Sequence, residues 1–263
     1  MPINSNARAL DSLFISPCTP AQHTPTKPRA TTRITLRQAT NLMDAVAYAR
    51  QIGTPLNTHA TIHWVGTKVG DDPDGRLFAK VREGFDKWLR RHGIPGGLTA
   101  IWVRERLSGG SAEVVHCHML FHLPQPFTRG RKRKQVEETL ERLIDRHGDG
   151  NYADYTLKLT FPPTPNGIYL LKGGGPDVWR EFGVPRRWRR AQGFIHGKRC
   201  GTTENIGRAQ RTKQEIQQEK HDGGFGTSIP NATHHSSKGE SDDRDLQTPT
   251  RARGEPAHAG RMG

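Results

Sequence analysis

Cysteine is scarce: its three copies, Cys18, Cys117 and Cys200, lie far apart and form no C-x-x-C pair. That excludes a disulfide framework and a zinc ribbon. Long apolar runs are missing too. None approaches the roughly 20 residues that span a bilayer, and the N-terminus has no signal-peptide hydrophobic region. A cytoplasmic protein with no membrane partner is therefore expected. Acid is in deficit: 26 Asp+Glu stand against 40 Lys+Arg, a formal net charge of +14. Such an excess suggests a polyanionic partner, most often nucleic acid, although an inert basic surface has the same composition. Hydrophobic residues make up only 32% of the chain, and the shortage is concentrated at the ends. Residues 1–33 run through SPCTPAQHTPTKPRATT, and residues 221–263 hold a single aromatic, Phe225. Both segments are too polar to bury a core and are expected to be disordered. The division expected is a folded domain over residues 34–200, then a basic, mostly disordered tail over 201–263.

Within that domain the periodicity alternates between helix and strand. Residues 36–52 have the spacing of an amphipathic helix, with Leu42, Val46 and Ala49 inward and Gly53 beyond the end. HATIHWV (59–65) alternates as a first strand, Ala60, Ile62 and Trp64 on one face and His59, Thr61 and His63 on the other. A second helix over 77–92 carries Phe78, Val81, Phe85, Trp88 and Leu89 as its apolar stripe. LTAIWVRERL (98–107) forms a second strand, and Ser108, Gly109 and Gly110 supply a turn into the next one. Five cations, Arg129, Arg131, Lys132, Arg133 and Lys134, lead into a helix over 135–146, and YTLKLTF (155–161) is a fourth strand. Strands joined by hairpins and helices make an α+β fold, a central and mainly antiparallel sheet flanked by helices.

The third strand, within AEVVHCHMLFHLP (112–124), carries the chemistry. Val115, Cys117, Met119, Phe121 and Leu123 alternate with His116, His118, Leu120 and His122, an apolar floor under a face of imidazoles. Residues two apart on a strand project the same way, so His116 and His118 can converge on one ion if a third ligand comes from beside them. A turn centred near Gly110 sets Glu105 opposite His116; His122 and His63 are the alternative third ligands. Two imidazoles and a carboxylate suit Mn²⁺ or Mg²⁺ with positions open for substrate oxygens. A solvated polar face without an ion is the competing reading.

Downstream, GIYLLKGGG (167–175) places Tyr169 and Lys172 three residues apart, on one face of a short helical segment. A phenol is a weak nucleophile at neutral pH, and a lysine one turn away can lower its pKa or contact a phosphate oxygen. A core tyrosine beside a surface lysine is the plainer alternative. The three glycines lack the lysine and preceding strand of a phosphate-binding P-loop. Further on, Trp179, Arg180, Arg186, Arg187, Trp188, Arg189 and Arg190 interleave aromatics with guanidinium groups. That suits single-stranded DNA, by base stacking and phosphate contact, or a docked segment with a solvated basic face. Residues 197–207 (GKRCGTTENIG) are distinctive without suggesting a mechanism, and Cys200 is expected to be inert rather than a redox thiol.

HCHMLFHLP resembles the His-hydrophobe-His motif of the HUH endonucleases, with Cys117 in the hydrophobic slot. IYLLKG resembles their Y-x-x-K motif, and HATIHWV stands where the family's first motif falls. The resemblance covers about residues 57–175. Histidines first and tyrosine later is the order of rolling-circle replication initiators (Rep) of plasmids and phages; conjugative relaxases usually carry the tyrosine near the N-terminus. The resemblance implies His116, His118 and Glu105 as ligands of a divalent ion (Mn²⁺ or Mg²⁺), Tyr169 as nucleophile and Lys172 as its assistant. It further implies a metal-dependent endonuclease that nicks single-stranded DNA at a replication origin through a 5′-phosphotyrosine, with Arg186, Arg187, Trp188, Arg189 and Arg190 on the DNA. A single tyrosine, with glycine at 173, matches the one-tyrosine type, and no helicase motif accompanies it. The rivals are a mobilisation relaxase or transposase of the same fold, and a non-catalytic basic nucleic-acid-binding protein. Nothing in the sequence sets the oligomeric state.

Overall fold

A computed structural model describes residues 30–106, 114–150, 153, 156–161 and 167–222. Of the segments expected to be disordered, residues 1–29 and 223–263 lie outside these, as do the turn through Ser108, Gly109 and Gly110 and Tyr155; residues 30–33 are described and correct the expectation, since Ala30 and Thr31 pair with His196 and Ile195. In chain order the elements are β1 (Ala30–Thr31), α1 (Leu36–Gln51), β2 (Thr58–His63), α2 (Arg76–Arg91), β3 (Ala100–Arg106), β4 (Val115–Phe121), α3 (Gly130–His147), β5 (Leu157–Thr160), α4 (Pro176–Glu181), β6 (Ile195–His196), β7 (Cys200–Thr202) and α5 (Arg208–Asp222). Five strands form an antiparallel sheet in the order β5-β2-β4-β3-β7, and β1 pairs with β6. The fold is α+β, a central antiparallel sheet flanked by helices.

Alternation along each strand divides the side chains between two cores. One face takes Ala60 and Ile62 of β2, Ala100 and Trp102 of β3, and Cys117, Met119 and Phe121 of β4. Phe78, Val81 and Phe85 of α2 and Val136, Leu140 and Ile144 of α3 cover it. The other face takes Ile101, Val103 and Leu120 under Leu42, Val46 and Ala49 of α1. The helix stripes thus fall as their spacing requires, except that Trp88 packs only partly buried. Helices on both faces bury β4 along its whole length, so it is more enclosed than the half-buried strand expected. A 3-10 turn over Gly167–Gly173 covers the polar end of the second face.

Some boundaries move. Trp64 leaves the strand for a 3-10 turn, Trp64–Gly66. The basic run 129–134 is not a lead-in: Arg129 is the N-cap of α3, and Arg131 to Lys134 lie in its first turns. The domain also outruns residue 200. Cys200 and Gly201 pair with Val103 and Trp102, and the side chain of Arg199 donates to the carbonyl of Gly193 and to Thr31. The glycine-rich segment 197–207 therefore closes the sheet edge, and α5 follows it, with Arg211 donating to Asn41 on α1. Cys200 is buried and its thiol is pushed up to about 11 by desolvation, which makes it inert at neutral pH.

Arg104 fixes the strand that brings Glu105 to the site. Its guanidinium is 1% exposed and donates to the carbonyls of Asp72 (2.8 Å), Pro73 (2.8 Å), His196 (3.0 Å) and Lys198 (3.3 Å). Gly75 sits beside it with φ +81, and a Cβ there would come within 2.7 Å of the guanidinium, so backbone sign and space both require glycine. Arg104→Met removes the shared donor of four carbonyls, of which that of Asp72 is buried. It should destabilise the domain by about 3 kcal/mol, read as a lower urea midpoint at unchanged slope; a neutral result would show that the loops hold without the clamp.

Candidate metal centre and cleft

Antiparallel partners directly opposite one another share a face, and the register lays out the site in rows. One row runs His63, His116, Glu105; the next runs Lys158, Thr61, His118, Val103; a third runs Thr160, His59, Leu120. The hairpin register expected from the turn holds: Glu105 is opposite His116.

Glu105, His116 and His118 offer ligand atoms that all lie within 4.8 Å of one another. Nε2 of His116 and Nε2 of His118 each lie 3.2 Å from Glu105 Oε2. Of the alternative third ligands, His122 lies past the end of β4 and pairs with the carbonyl of Pro55 at 2.8 Å. His63 stacks on His116, ring centroids 5.3 Å apart, and stands outside the ligand group. The group could hold a metal ion, and an orphaned atom supports the fit: Glu105 Oε1 is buried with no hydrogen-bond partner.

Lys172 is not where the sequence alone would put it. The 3-10 geometry still aligns residues three apart, so Tyr169 and Lys172 share a face. The ammonium, however, reaches inward, 2.9 Å from Glu105 Oε2 and 2.9 Å from His118 Nε2, and crosses the Tyr169 ring at 4.1 Å from its centroid. An ammonium can only donate, so His118 Nε2 must accept and its proton sits on Nδ1. There it faces Thr61 Oγ1 at 3.1 Å and His59 Nε2 at 3.2 Å. This second layer points the Nε2 lone pair at the centre, as metal-binding imidazoles require.

The charges follow from burial. Desolvation pushes His59 down to about 3 and His118 down to about 4, the latter against the pull of Glu105. Both rings are therefore neutral and ligand-ready at pH 7. Desolvation alone would raise the Glu105 carboxyl; the pull of His118, the hydrogen bond from His116 and the Lys172 charge outweigh it and hold the group well below the usual range. Cys117, between the two histidines, is pushed up to about 12 by desolvation and packs as an apolar side chain.

The centre opens into a cleft of about 670 Å³. Tyr169 lines it, its ring edge-on to His118 (5.5 Å) and to His59 (5.9 Å). Of the predicted basic-aromatic set, Arg187, Trp188 and Arg190 line the cleft, with Trp188 edge-on to Tyr169 at 5.8 Å. Arg186 and Arg189 do not; Arg189 donates instead to the carbonyl of Val184. Trp179 is structural, its Nε1 donating to the carbonyl of Lys172. Two polar cleft residues carry no expectation from the sequence, Lys158 and Thr160 on β5. Their signal was the alternation of LKLT, with Leu157 and Leu159 packed against the core.

Comparison of the chain with protein-family models, with curated proteins and with solved structures finds no match. Among the described residues, no helix is long and apolar enough to cross a membrane.

Because Lys172 contacts the same two acceptors that would take a divalent ion, the two cations compete. Titration calorimetry with Mn²⁺ should find one site in the wild type and none in His118→Ala. Lys172→Met should bind about tenfold more tightly or better, since it leaves the buried Glu105 charge unneutralised. Weaker binding by Lys172→Met would mean that the lysine supports the ion rather than excluding it.

Proposed function

We propose that this protein is a metal-dependent endonuclease of the HUH type, which nicks single-stranded DNA with Tyr169 as nucleophile and starts rolling-circle replication of a plasmid or phage. The observation that carries the reading is the convergence of a candidate nucleophile and a two-histidine, one-carboxylate group in one cleft lined by cations. Tyr169 packs partly against the core, yet lies edge-on to His118 and lines the cleft beside that group.

Glu105, His116 and His118 would hold the ion, and their mixed N/O set with open positions suits Mn²⁺ or Mg²⁺. Bound there, a divalent ion supplies Lewis-acid polarisation of the scissile phosphate and stabilises charge in the transition state. The chain's own residues do the rest. His59 and Thr61 fix the tautomer of His118. Arg187, Arg190 and Lys158 hold phosphates, and Trp188 offers a stacking surface next to the reacting atom. Tyr169 Oη attacks phosphorus and gives up its proton; the P–O3′ bond breaks and the 3′ oxygen takes a proton. The products are a 5′-phosphotyrosine and a free 3′-OH that primes synthesis. Lys172, its ammonium 4.1 Å from the Tyr169 ring centroid, is placed to contact an oxygen of the scissile phosphate.

The test is covalent capture. A 3′-labelled single-stranded oligonucleotide pool with a randomised segment is incubated with the protein and Mn²⁺, then resolved on a denaturing gel. The wild type should give a slower, labelled band that EDTA abolishes. Tyr169→Phe should lose it by a factor of at least about 10³, His116→Ala should bind DNA without forming it, and Lys172→Ala should form it slowly. Tyr155→Phe should behave as wild type. A band that survives Tyr169→Phe would remove the nucleophile; binding with no band under any divalent ion would leave a non-catalytic nucleic-acid-binding protein.

A further inference from the structure

The α3 N-terminus carries a charge that the cleft does not use. Arg129, Arg131, Lys132, Arg133 and Lys134 are all exposed. Cations there oppose the helix, whose N-terminal dipoles already place about half a positive charge at that end. Neither an acidic residue in the first turn nor a side-chain cap at Arg129 offsets them. Among the described residues only Lys134 has a carboxylate partner, Glu138 at 3.8 Å on an exposed surface.

Two of its members are held against the domain by aromatic rings. Lys132 Nζ stands 4.9 Å from the Phe127 ring centroid, and the Arg133 guanidinium lies 4.6 Å over Phe161. Phe161 directly follows Thr160, and Thr160 and Lys158 line the cleft on β5, an outer strand of the sheet. Cations thus run from Arg187, Arg190 and Lys158 in the cleft to Arg133 over Phe161, which directly follows the outer strand β5.

We propose that DNA leaving the cleft crosses the β5 edge, and that the α3 cluster binds the phosphodiester backbone flanking the cleaved segment. This rests on the cleft being a nucleic-acid site. Phosphate contacts of this kind carry no sequence information; they set register and orientation. The flanking DNA can be single-stranded or a duplex arm, since the chemistry recognised is the same.

Binding against salt separates the alternatives. One oligonucleotide has about six nucleotides, enough to fill a short single-strand groove. The others carry the same segment with a single-stranded or a hairpin extension, all measured without divalent ions, so that no cleavage intervenes. In a variant with Arg129, Arg131 and Lys132 each changed to Gln, the log–log salt slope for an extended oligonucleotide should fall by about 2, and affinity at low salt by about tenfold or more. Binding of the short oligonucleotide should not change. Loss with both extensions marks a backbone-only contact, and loss with the hairpin alone marks a duplex arm; either supports the proposal. Equal loss for short and extended DNA, or no loss for any, overturns it. Lys158→Gln should weaken the short and the extended DNA alike. Failure of the wild type to bind the short oligonucleotide would instead count against the cleft, leaving the extension effect as the separate measure of α3.

Discussion

A carboxylate with no exposed surface organises this domain. Glu105 lies in the sheet at 0% exposure, where an uncompensated charge would cost several kcal/mol or simply be protonated. His116, His118 and Lys172 surround its Oε2, each delivered by a different constraint. His116 comes by direct cross-strand register and His118 by the period of two along β4. Lys172 comes from a 3-10 turn that closes over the polar end of the sheet. Where α1 covers the same face, the side chains are Ile101, Val103 and Leu120. The polar island begins where that helix ends its cover.

The same charge gives Lys172 two possible loyalties. In the arrangement seen, its ammonium neutralises Glu105 while its stem lies over the Tyr169 ring. A residue so placed senses both the carboxylate that would ligate an ion and the phenol that would attack. Neutral His59 and His118 add no positive charge to the centre, where Lys172 is the cation paired with Glu105. The cleft's other cations, Arg187, Arg190 and Lys158, stand at its walls, suited to hold a backbone without competing for the centre.

The alternation in HATIHWV, LTAIWVRERL and VVHCHMLF carried the sheet, its two faces and the pairing of Glu105 with His116, because strand period and turn position leave little freedom. The amphipathic helices were legible for the same reason. What escaped depended on contacts distant in sequence. Nothing local in GKRCGTTENIG says that Arg199 reaches back to Thr31, so composition alone ends the domain too early. Lys172 was read from spacing alone, which gives the shared face with Tyr169 but not the buried carboxylate across it. In the run of arginines after Trp179, composition could not separate those that line the cleft from Arg186 and Arg189, because the bends around Pro185 and Trp188 decide it.

The central claim is that Glu105, His116 and His118 form a divalent-metal site facing Tyr169. Anomalous diffraction at the manganese edge, from crystals grown with Mn²⁺, tests it most directly. The expected result is one strong peak bonded to Glu105 and to both histidines, with the Lys172 ammonium moved away from Glu105 and Tyr169 still lining the cleft. A peak held by other residues, or an undisturbed Lys172–Glu105 pair at saturating Mn²⁺, would contradict it.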